Sequence, residues 1–496
     1  MNDETELLER LRDDGCRLQE ALLREHTSSR SGLGPRSGFA AIYSSPRFAW
    51  LSAAATFRRV RELRRPPEAA SIAPLAEWIS ENVESAAARE LTDRLDAAEA
   101  EATALVGGEE VGYRDLPGRI RNTRDRALRA ELFAALERLW RELDPLAADA
   151  LALGRDAIAS LGLGDYATAL GDLAGFDVRA LAREADAFLA RTEDVYRESL
   201  ADALRRGLEL PLRQAAEHDL WAAFRLRAHD GHFRADEMVW RVEGFLGRMG
   251  IDPTASGRIR RDVEDRPGKT PRAFCAPIRV PDEVVLVIRP SGGMNDYRSF
   301  LHEYGHALHH ANTSRSLPFE ERALGDCSVT EAYAFTLDRL TIDRVFLNKV
   351  MKLPRSATEL PARELQTSNL FVARRQAAKL CYEIELHAGA TDPVDRYRRW
   401  LSRASGVPVS GARHALDVDR RFYAARYLRA WLLEAVLVGI LRDRFDEDWF
   451  HNPRAGAFLA SLWAEGNGKG ADGLAASLGA RLNFETLALR FEEVLR

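Results

Sequence analysis

Two histidines four residues apart bracket a glutamate in the segment His302-Glu303-Tyr304-Gly305-His306, and this spacing constrains the fold more than any other feature. Positions i and i+4 of an α-helix lie on one face, so both imidazoles can reach a single metal ion. Glu303 lies about 100° around the same helix, close enough to take a proton from water at that ion. The segment therefore predicts a helix that carries a metal site of the hydrolytic type.

The residues around the motif separate by polarity on a helical projection. One side carries His302, Glu303, His306, His309 and His310, and the other carries Phe300, Leu301, Tyr304 and Leu308. A buried helix that merely contained histidines would have no reason to show this separation. The pattern favours a functional polar face over a solvated, histidine-rich helix. We expect His310 to be exposed and His309 to lie too far along the axis to join the same ion.

Gly305 costs the helix roughly 1 kcal/mol relative to alanine. That cost indicates that another group approaches the backbone closely at this position. Asn295 or Asp296 can cap the helix start after the turn at Gly292 and Gly293.

A catalytic zinc site needs a third protein ligand and an open fourth position. The acidic candidates downstream are Glu320, Glu321, Asp326 and Glu331. Glu320 and Glu321 lie in a segment that is typical of a solvated loop. Glu331 lies on a second predicted helix, whose start is capped by Asp326 or Ser328, and a ligand on a second helix suits a rigid site. Glu331 is therefore the favoured third ligand, with Asp326 as the alternative.

The strand signal lies just before the metal helix. Residues 283–288 form a short run of β-branched and apolar residues, and residues 273–280 can pair with them across a turn at Pro281-Asp282. The sequence therefore predicts a small β-hairpin beside the helix.

The stretch from Phe274 to Leu340 resembles the catalytic core of the thimet oligopeptidase and oligoendopeptidase F family of zinc peptidases. The matching segments are AFCAPIRVPDEVVLVI, HEYGHALHH and GDCSVTEAYAF. The resemblance implies that His302, His306 and Glu331 bind one Zn²⁺ ion and that Glu303 is the general base. It also implies a zincin-like core and short unstructured peptides as substrates. An edge strand of the hairpin would hold the substrate backbone, although an ordinary buried hairpin is an equally good reading.

The same family carries tyrosines, preceded by a histidine, that stabilise the oxyanion. Tyr423 and Tyr427 share a helix face here and could serve as such donors. No histidine immediately precedes them, because Arg420 and Arg421 stand there and His414 lies further back. An arginine can stabilise an oxyanion but cannot shuttle a proton. The alternative is that both tyrosines are aromatic residues at the edge of a core.

Composition predicts a mostly α-helical protein. Hydrophobic residues make up 46% of the chain and charged residues 30%, and helix-forming residues dominate. The net charge of −5 gives no electrostatic case for nucleic-acid binding. The longest apolar run, residues 430–441, is too short to cross a bilayer. Four scattered cysteines and an acidic N-terminal segment favour a reduced, cytoplasmic protein.

We expect a large helical body with a deep cleft or channel. Residues 1–155 would form an N-terminal helical wall, and residues 156–496 the catalytic region, with a core at 270–345 and a tyrosine helix at about 417–441. The sequence thus predicts a zinc-dependent endopeptidase acting on oligopeptides. Two alternatives remain: a metallocarboxypeptidase that trims C-terminal residues, and a catalytically weak zinc protein that binds peptides.

Overall fold

Helices dominate the structure, as the composition predicts. The computed structural model describes residues 3–34, 39–63, 69–270 and 272–496. Within these residues, no helix is both long enough and apolar enough to span a membrane. The four cysteines are present as thiols rather than disulfides.

The α-helices are numbered in chain order. The first eleven are α1 Asp3–Arg30, α2 Ala40–Tyr43, α3 Ala54–Glu62, α4 Ala69–Glu101, α5 Leu116–Asn122, α6 Arg126–Ala159, α7 Tyr166–Ala174, α8 Val178–Arg191, α9 Glu193–Leu208, α10 Glu217–Ala223 and α11 Met238–Arg248. The remainder are α12 Met294–Asn312, α13 Phe319–Arg322, α14 Cys327–Asp338, α15 Arg344–Lys349, α16 Glu359–His387, α17 Pro393–Ser405, α18 Tyr423–Phe445, α19 Pro453–Trp463, α20 Gly470–Ser477 and α21 Phe484–Leu495. The tyrosine helix α18 therefore begins later than the predicted residue 417.

The described residues also form two small sheets and several short 3-10 helices. Strands β1 (Thr103–Val106) and β2 (Glu109–Gly112) form an antiparallel hairpin. Strands β3 (Ile259–Asp262), β4 (Phe274–Arg279) and β5 (Glu283–Val287) form a sheet in the order β3-β5-β4. The antiparallel pairing of β4 with β5 confirms the predicted hairpin. Strand β3, parallel to β5, was not predicted, because its sequence Ile-Arg-Arg-Asp lacks an apolar pattern.

The chain divides into two compact units, each built from three segments. The first unit comprises Met1–Val83, His229–Ala362 and Arg429–Asn483. The second comprises Glu84–Ala228, Arg363–Leu428 and Phe484–Arg496. Residue 155 lies within α6 in the second unit, and the functional division of the chain at that point stays a prediction. The expected cleft also stays a prediction.

The first unit places α12 against the three-stranded sheet and against α14. Helix α1 contacts β4, where Leu23 packs with Ala276, Ile278, Val285 and Val287. Helices α12 and α14 approach so closely at Gly305 that a Cβ atom there would lie 2.4 Å from Cα of Ala334. The prediction of a close approach at Gly305 is confirmed, and the approaching group is the backbone of α14.

The second unit has its own apolar core. A cluster around the β1–β2 hairpin and the start of α6 includes Val106, Val111, Ile120, Leu136 and Trp140. A buried carboxylate accompanies it: Asp219 accepts hydrogen bonds from the half-exposed Arg126 and from the buried Arg129.

Candidate metal centre

Three side chains from two helices of the first unit converge. His302 and His306 come from α12 and Glu331 comes from α14, and one ligand atom of each lies within 4.8 Å of the others. Oε2 of Glu331 is 3.3 Å from Nε2 of His302 and 3.7 Å from Nε2 of His306. No other group of three His, Cys, Asp or Glu side chains comes this close in the described part of the chain.

The outer nitrogen of each imidazole has its own partner. Nδ1 of His302 lies 3.0 Å from Oδ2 of Asp338, and Nδ1 of His306 lies 2.8 Å from Oγ1 of Thr330. These contacts leave both Nε2 atoms directed at Glu331. Metal-binding histidines characteristically donate their second N–H to such a partner. Two imidazoles and a carboxylate are also a donor set that suits zinc, so the residues present fit the ion.

Asp338 is the residue of this site that the sequence argument missed. The position one helical turn after Glu331 is Phe335, which offers no carboxylate. Asp338 lies seven residues after Glu331, which is two helical turns, and therefore falls on the same face of α14. The seven-residue spacing is the sequence signal by which Asp338 could have been predicted.

The two histidines differ in basicity because their outer partners differ. Burial lowers the pKa of His302, but hydrogen bonds to Asp338 and Glu331 outweigh it and raise that pKa to about 10. Burial lowers the pKa of His306 to about 4, and its outer partner is a neutral hydroxyl.

Glu303 lies beside the cluster and faces strand β4. Burial raises the pKa of Glu303 to about 7, while the neighbouring His302 and the backbone of Cys275 act in the opposite direction. The carboxylate is therefore buried near strand β4, on the helix that carries both histidines. A carboxylate with such a pKa can both accept and release a proton near neutral pH.

The predicted cap of α14 is present, whereas the predicted cap of α12 is not. Asp326 caps α14, as predicted, by accepting from the N–H of Ser328 at 3.0 Å. Gly293 holds the cap position of α12. Asp296 instead accepts from the backbone N–H groups of Ser291 and Gly292, each at 2.8 Å, and so ties the preceding turn to the helix.

The other acidic candidates have structural partners. Glu320 is 0% exposed and binds Arg12, so the expectation of a solvated loop was wrong for this residue. Oδ2 of Asp326 accepts from Arg429 at 3.2 Å and from the N–H of Ala471 at 3.1 Å. Asp326 thus joins three helices.

His309 and His310 are both buried, at 0% and 8% exposure. The expectation that His310 is exposed was wrong, because α14 and α19 pack against this end of α12. Nε2 of His310 lies 3.5 Å from Oγ1 of Thr330, the hydroxyl that also contacts His306. Burial lowers the pKa of His310 to about 3, so it stays neutral.

Tyr423 and Tyr427 lie in the first turn and a half of α18, in the second unit. Their ring centroids are 5.9 Å apart, as expected for residues that share a face. Tyr423 is 37% exposed. Their role at the metal centre stays a prediction.

Comparison with known proteins gives a match in fold only. No protein-family model and no curated protein matches the chain. Solved structures do match. The carboxypeptidase of Pyrococcus furiosus aligns with a TM-score of 0.62 and 15% identity, over 100% of this chain and 99% of its own. The M32 carboxypeptidase of Deinococcus radiodurans aligns with a TM-score of 0.64 and 14% identity, over 99% of each chain.

A third similar structure is PZ peptidase A, bound to an inhibitor. It aligns with a TM-score of 0.61 and 13% identity, over 92% of this chain and 83% of its own. The chain therefore has the helical fold seen in these peptidases.

Proposed function

We propose that this chain is a zinc-dependent metallopeptidase that hydrolyses peptide bonds in short, unstructured oligopeptides. The observation that carries the proposal is the convergence of His302, His306 and Glu331, with Glu303 beside them on the same helix. Metal ligands alone would suit a structural site. A buried carboxylate next to them suits hydrolysis.

Each residue has a defined task in this proposal. His302, His306 and Glu331 would hold one Zn²⁺ ion, which supplies Lewis-acid activation of the peptide carbonyl and of water. Glu303 takes the proton from the attacking water and returns it to the leaving amine. Tyr423 and Tyr427 would donate hydrogen bonds to the developing oxyanion.

The oligopeptidase assignment rests on the motifs and on a shared fold. The three segments that resemble the thimet oligopeptidase and oligoendopeptidase F family support membership, and the similarity to PZ peptidase A supports a peptidase fold. A cytoplasmic location belongs to the same proposal and rests on the reduced cysteines.

A metallocarboxypeptidase is the second candidate, and a specific observation favours it. The two carboxypeptidases align over essentially their whole length, at 99%, whereas PZ peptidase A aligns over 83% of its own chain. The similarity to the carboxypeptidases therefore covers a larger share of their own chains. The same zinc ligands and the same base serve either reaction.

The first experiment measures bound zinc and the cleavage of quenched peptides of increasing length. We expect one zinc per chain and peptide cleavage in the native protein. Glu303→Gln should keep the zinc and lose cleavage by several orders of magnitude, because the base is gone. Glu321→Gln, which alters a carboxylate outside the cluster, is the matched control and should cut normally. Zinc binding without any cleavage by the native chain would leave only a peptide-binding role.

A second comparison separates the two peptidase types. Each peptide is supplied with a free C-terminus and with an amidated one. An endopeptidase cuts both at internal bonds, whereas a carboxypeptidase releases single residues and is slowed strongly by amidation. Release of single C-terminal residues alone would overturn the oligopeptidase assignment.

A further inference from the structure

The turn that leads into α18 has an unusual backbone. Arg421 has φ 58° and ψ 29°, and the next residue, Phe422, has φ 52°. Left-handed conformations are costly for residues with side chains, and two in succession are rarer still. Such a turn persists only when its surroundings hold it in place.

Glu84 of α4 restrains this turn. It is 4% exposed, and its Oε2 accepts from Nη1 of Arg421 at 2.9 Å. Its Oε1 accepts from the hydroxyl of Tyr166 at 2.7 Å. That hydroxyl in turn accepts from the backbone N–H of Arg421 at 3.4 Å. Both the side chain and the backbone of Arg421 are therefore tied to one buried carboxylate.

Phe422 is held by aromatic packing on the other side of the turn. Its ring centroid lies 5.6 Å from that of Tyr166 and 5.4 Å from that of His387. Tyr166 and His387 stack on each other at 4.1 Å. On α6, a Cβ atom at Gly154 would lie 3.1 Å from Oε1 of Glu84, so a glycine leaves room for the carboxylate. Helices α4, α6, α7 and α16 thus build one pocket around the turn.

We propose that Glu84 and Arg421 are a positioning pair that fixes the start of α18 and hence the direction of Tyr423 and Tyr427. Tyr423 is the residue directly after the strained turn, and Tyr427 stands one helical turn further on. In this proposal, Arg421 holds the start of α18 in place through its ion pair with Glu84. It does not take over the chemical role of the histidine that the family resemblance led us to expect before the tyrosines. This inference rests on the proposed function for its consequence in catalysis.

Hydrogen exchange tests the pair without any measurement of activity. Glu84→Gln should increase exchange severalfold in peptides covering residues 420–431, because the turn loses its charged partner. Tyr166→Phe removes only the hydroxyl and serves as the milder variant if Glu84→Gln folds poorly. Asp219→Asn, a buried carboxylate paired with arginines elsewhere in the same unit, is the matched control and should leave this segment unchanged. Unchanged exchange in both Glu84→Gln and Tyr166→Phe would overturn the pair.

A double-mutant cycle tests the consequence for catalysis. Tyr423→Phe should lower kcat about a hundredfold, and Glu84→Gln about tenfold with KM within about twofold and zinc binding unaltered. If Glu84 acts through the two tyrosines, adding Glu84→Gln to the variant Tyr423→Phe/Tyr427→Phe should lower kcat no further. A further loss of about tenfold would overturn the link between Glu84 and the tyrosines. If Tyr423→Phe keeps the native kcat, Tyr423 has no role in stabilising the oxyanion. The hydrogen-exchange experiment then remains the test of whether Glu84 and Arg421 fix the start of α18.

Discussion

Replacing Gly305 with alanine should push helices α12 and α14 apart. The new Cβ would lie 2.4 Å from Cα of Ala334, 2.8 Å from its backbone nitrogen and 2.8 Å from the carbonyl oxygen of Tyr333. Carbon atoms in good contact are about 3.5 Å apart or more, so the helices must separate by roughly 1 Å. All three neighbours are backbone atoms, which cannot move away by rotating a side chain.

The expected cost follows from two opposing effects. Overpacking of this kind costs about 3 kcal/mol, the upper end of the usual range, because the backbone itself must shift. Alanine regains about 1 kcal/mol through its higher helix propensity. The free energy of unfolding should therefore fall by about 2 kcal/mol. Zinc affinity should fall by roughly tenfold, because Glu331 would move relative to His302 and His306.

Urea unfolding of the metal-free protein and zinc competition against a chelator measure the two effects. Gly439→Ala is the matched control, since Gly439 lies inside α18 and a Cβ atom there would meet no neighbouring atom of the described residues within 4 Å. That variant should gain up to about 1 kcal/mol and bind zinc normally. If Gly305→Ala is as stable as Gly439→Ala and binds zinc as tightly as the native protein, the close approach of the two helices is refuted.

Three further predictions follow from single contacts. Asp338→Asn should weaken zinc binding by about tenfold, because His302 loses its charged outer partner; an unchanged dissociation constant would contradict this role. Arg12→Met should cost about 3 kcal/mol in urea unfolding, since it leaves Glu320 buried without its cation, whereas a loss below about 1 kcal/mol would class the pair with exposed ones. Burial lowers the pKa of His387 to about 4. Because the unfolded state then binds a proton at a higher pH than the folded state, the free energy of unfolding should fall as the pH drops from about 6.5 to 4. His387→Phe should reduce that fall by up to about 3 kcal/mol, and an identical pH dependence of unfolding in both proteins would show that His387 titrates normally.

Local periodicity made the helix that carries His302 and His306 predictable. Residues spaced by four lie on one helix face whatever the rest of the chain does, so His302 and His306 could be paired from sequence alone. Helix-capping chemistry located the start of α14 at Asp326 in the same way. The strand pair β4–β5 was also predictable, because its apolar run and turn are contiguous in sequence.

Predictions that depended on contacts with distant parts of the chain were less accurate. His310 was expected to be exposed, and packing by α14 and α19 buries it. Glu320 was expected in solvent, but it is buried. Its partner there is Arg12, which lies more than three hundred residues earlier in the chain. Strand β3 has no apolar pattern of its own and exists because β5 offers it backbone partners.

The sequence by itself determined which chemical groups the candidate site can offer: a helix with two histidines and a glutamate on it, and a second helix with a carboxylate. The tertiary structure decided which atoms meet. It brought α14 within backbone contact of α12 at Gly305, set Asp338 and Thr330 behind the two imidazoles, and buried Glu303. The physical reason is that side-chain direction along one helix follows from a fixed rotation per residue, whereas the distance between two helices depends on every side chain packed between them.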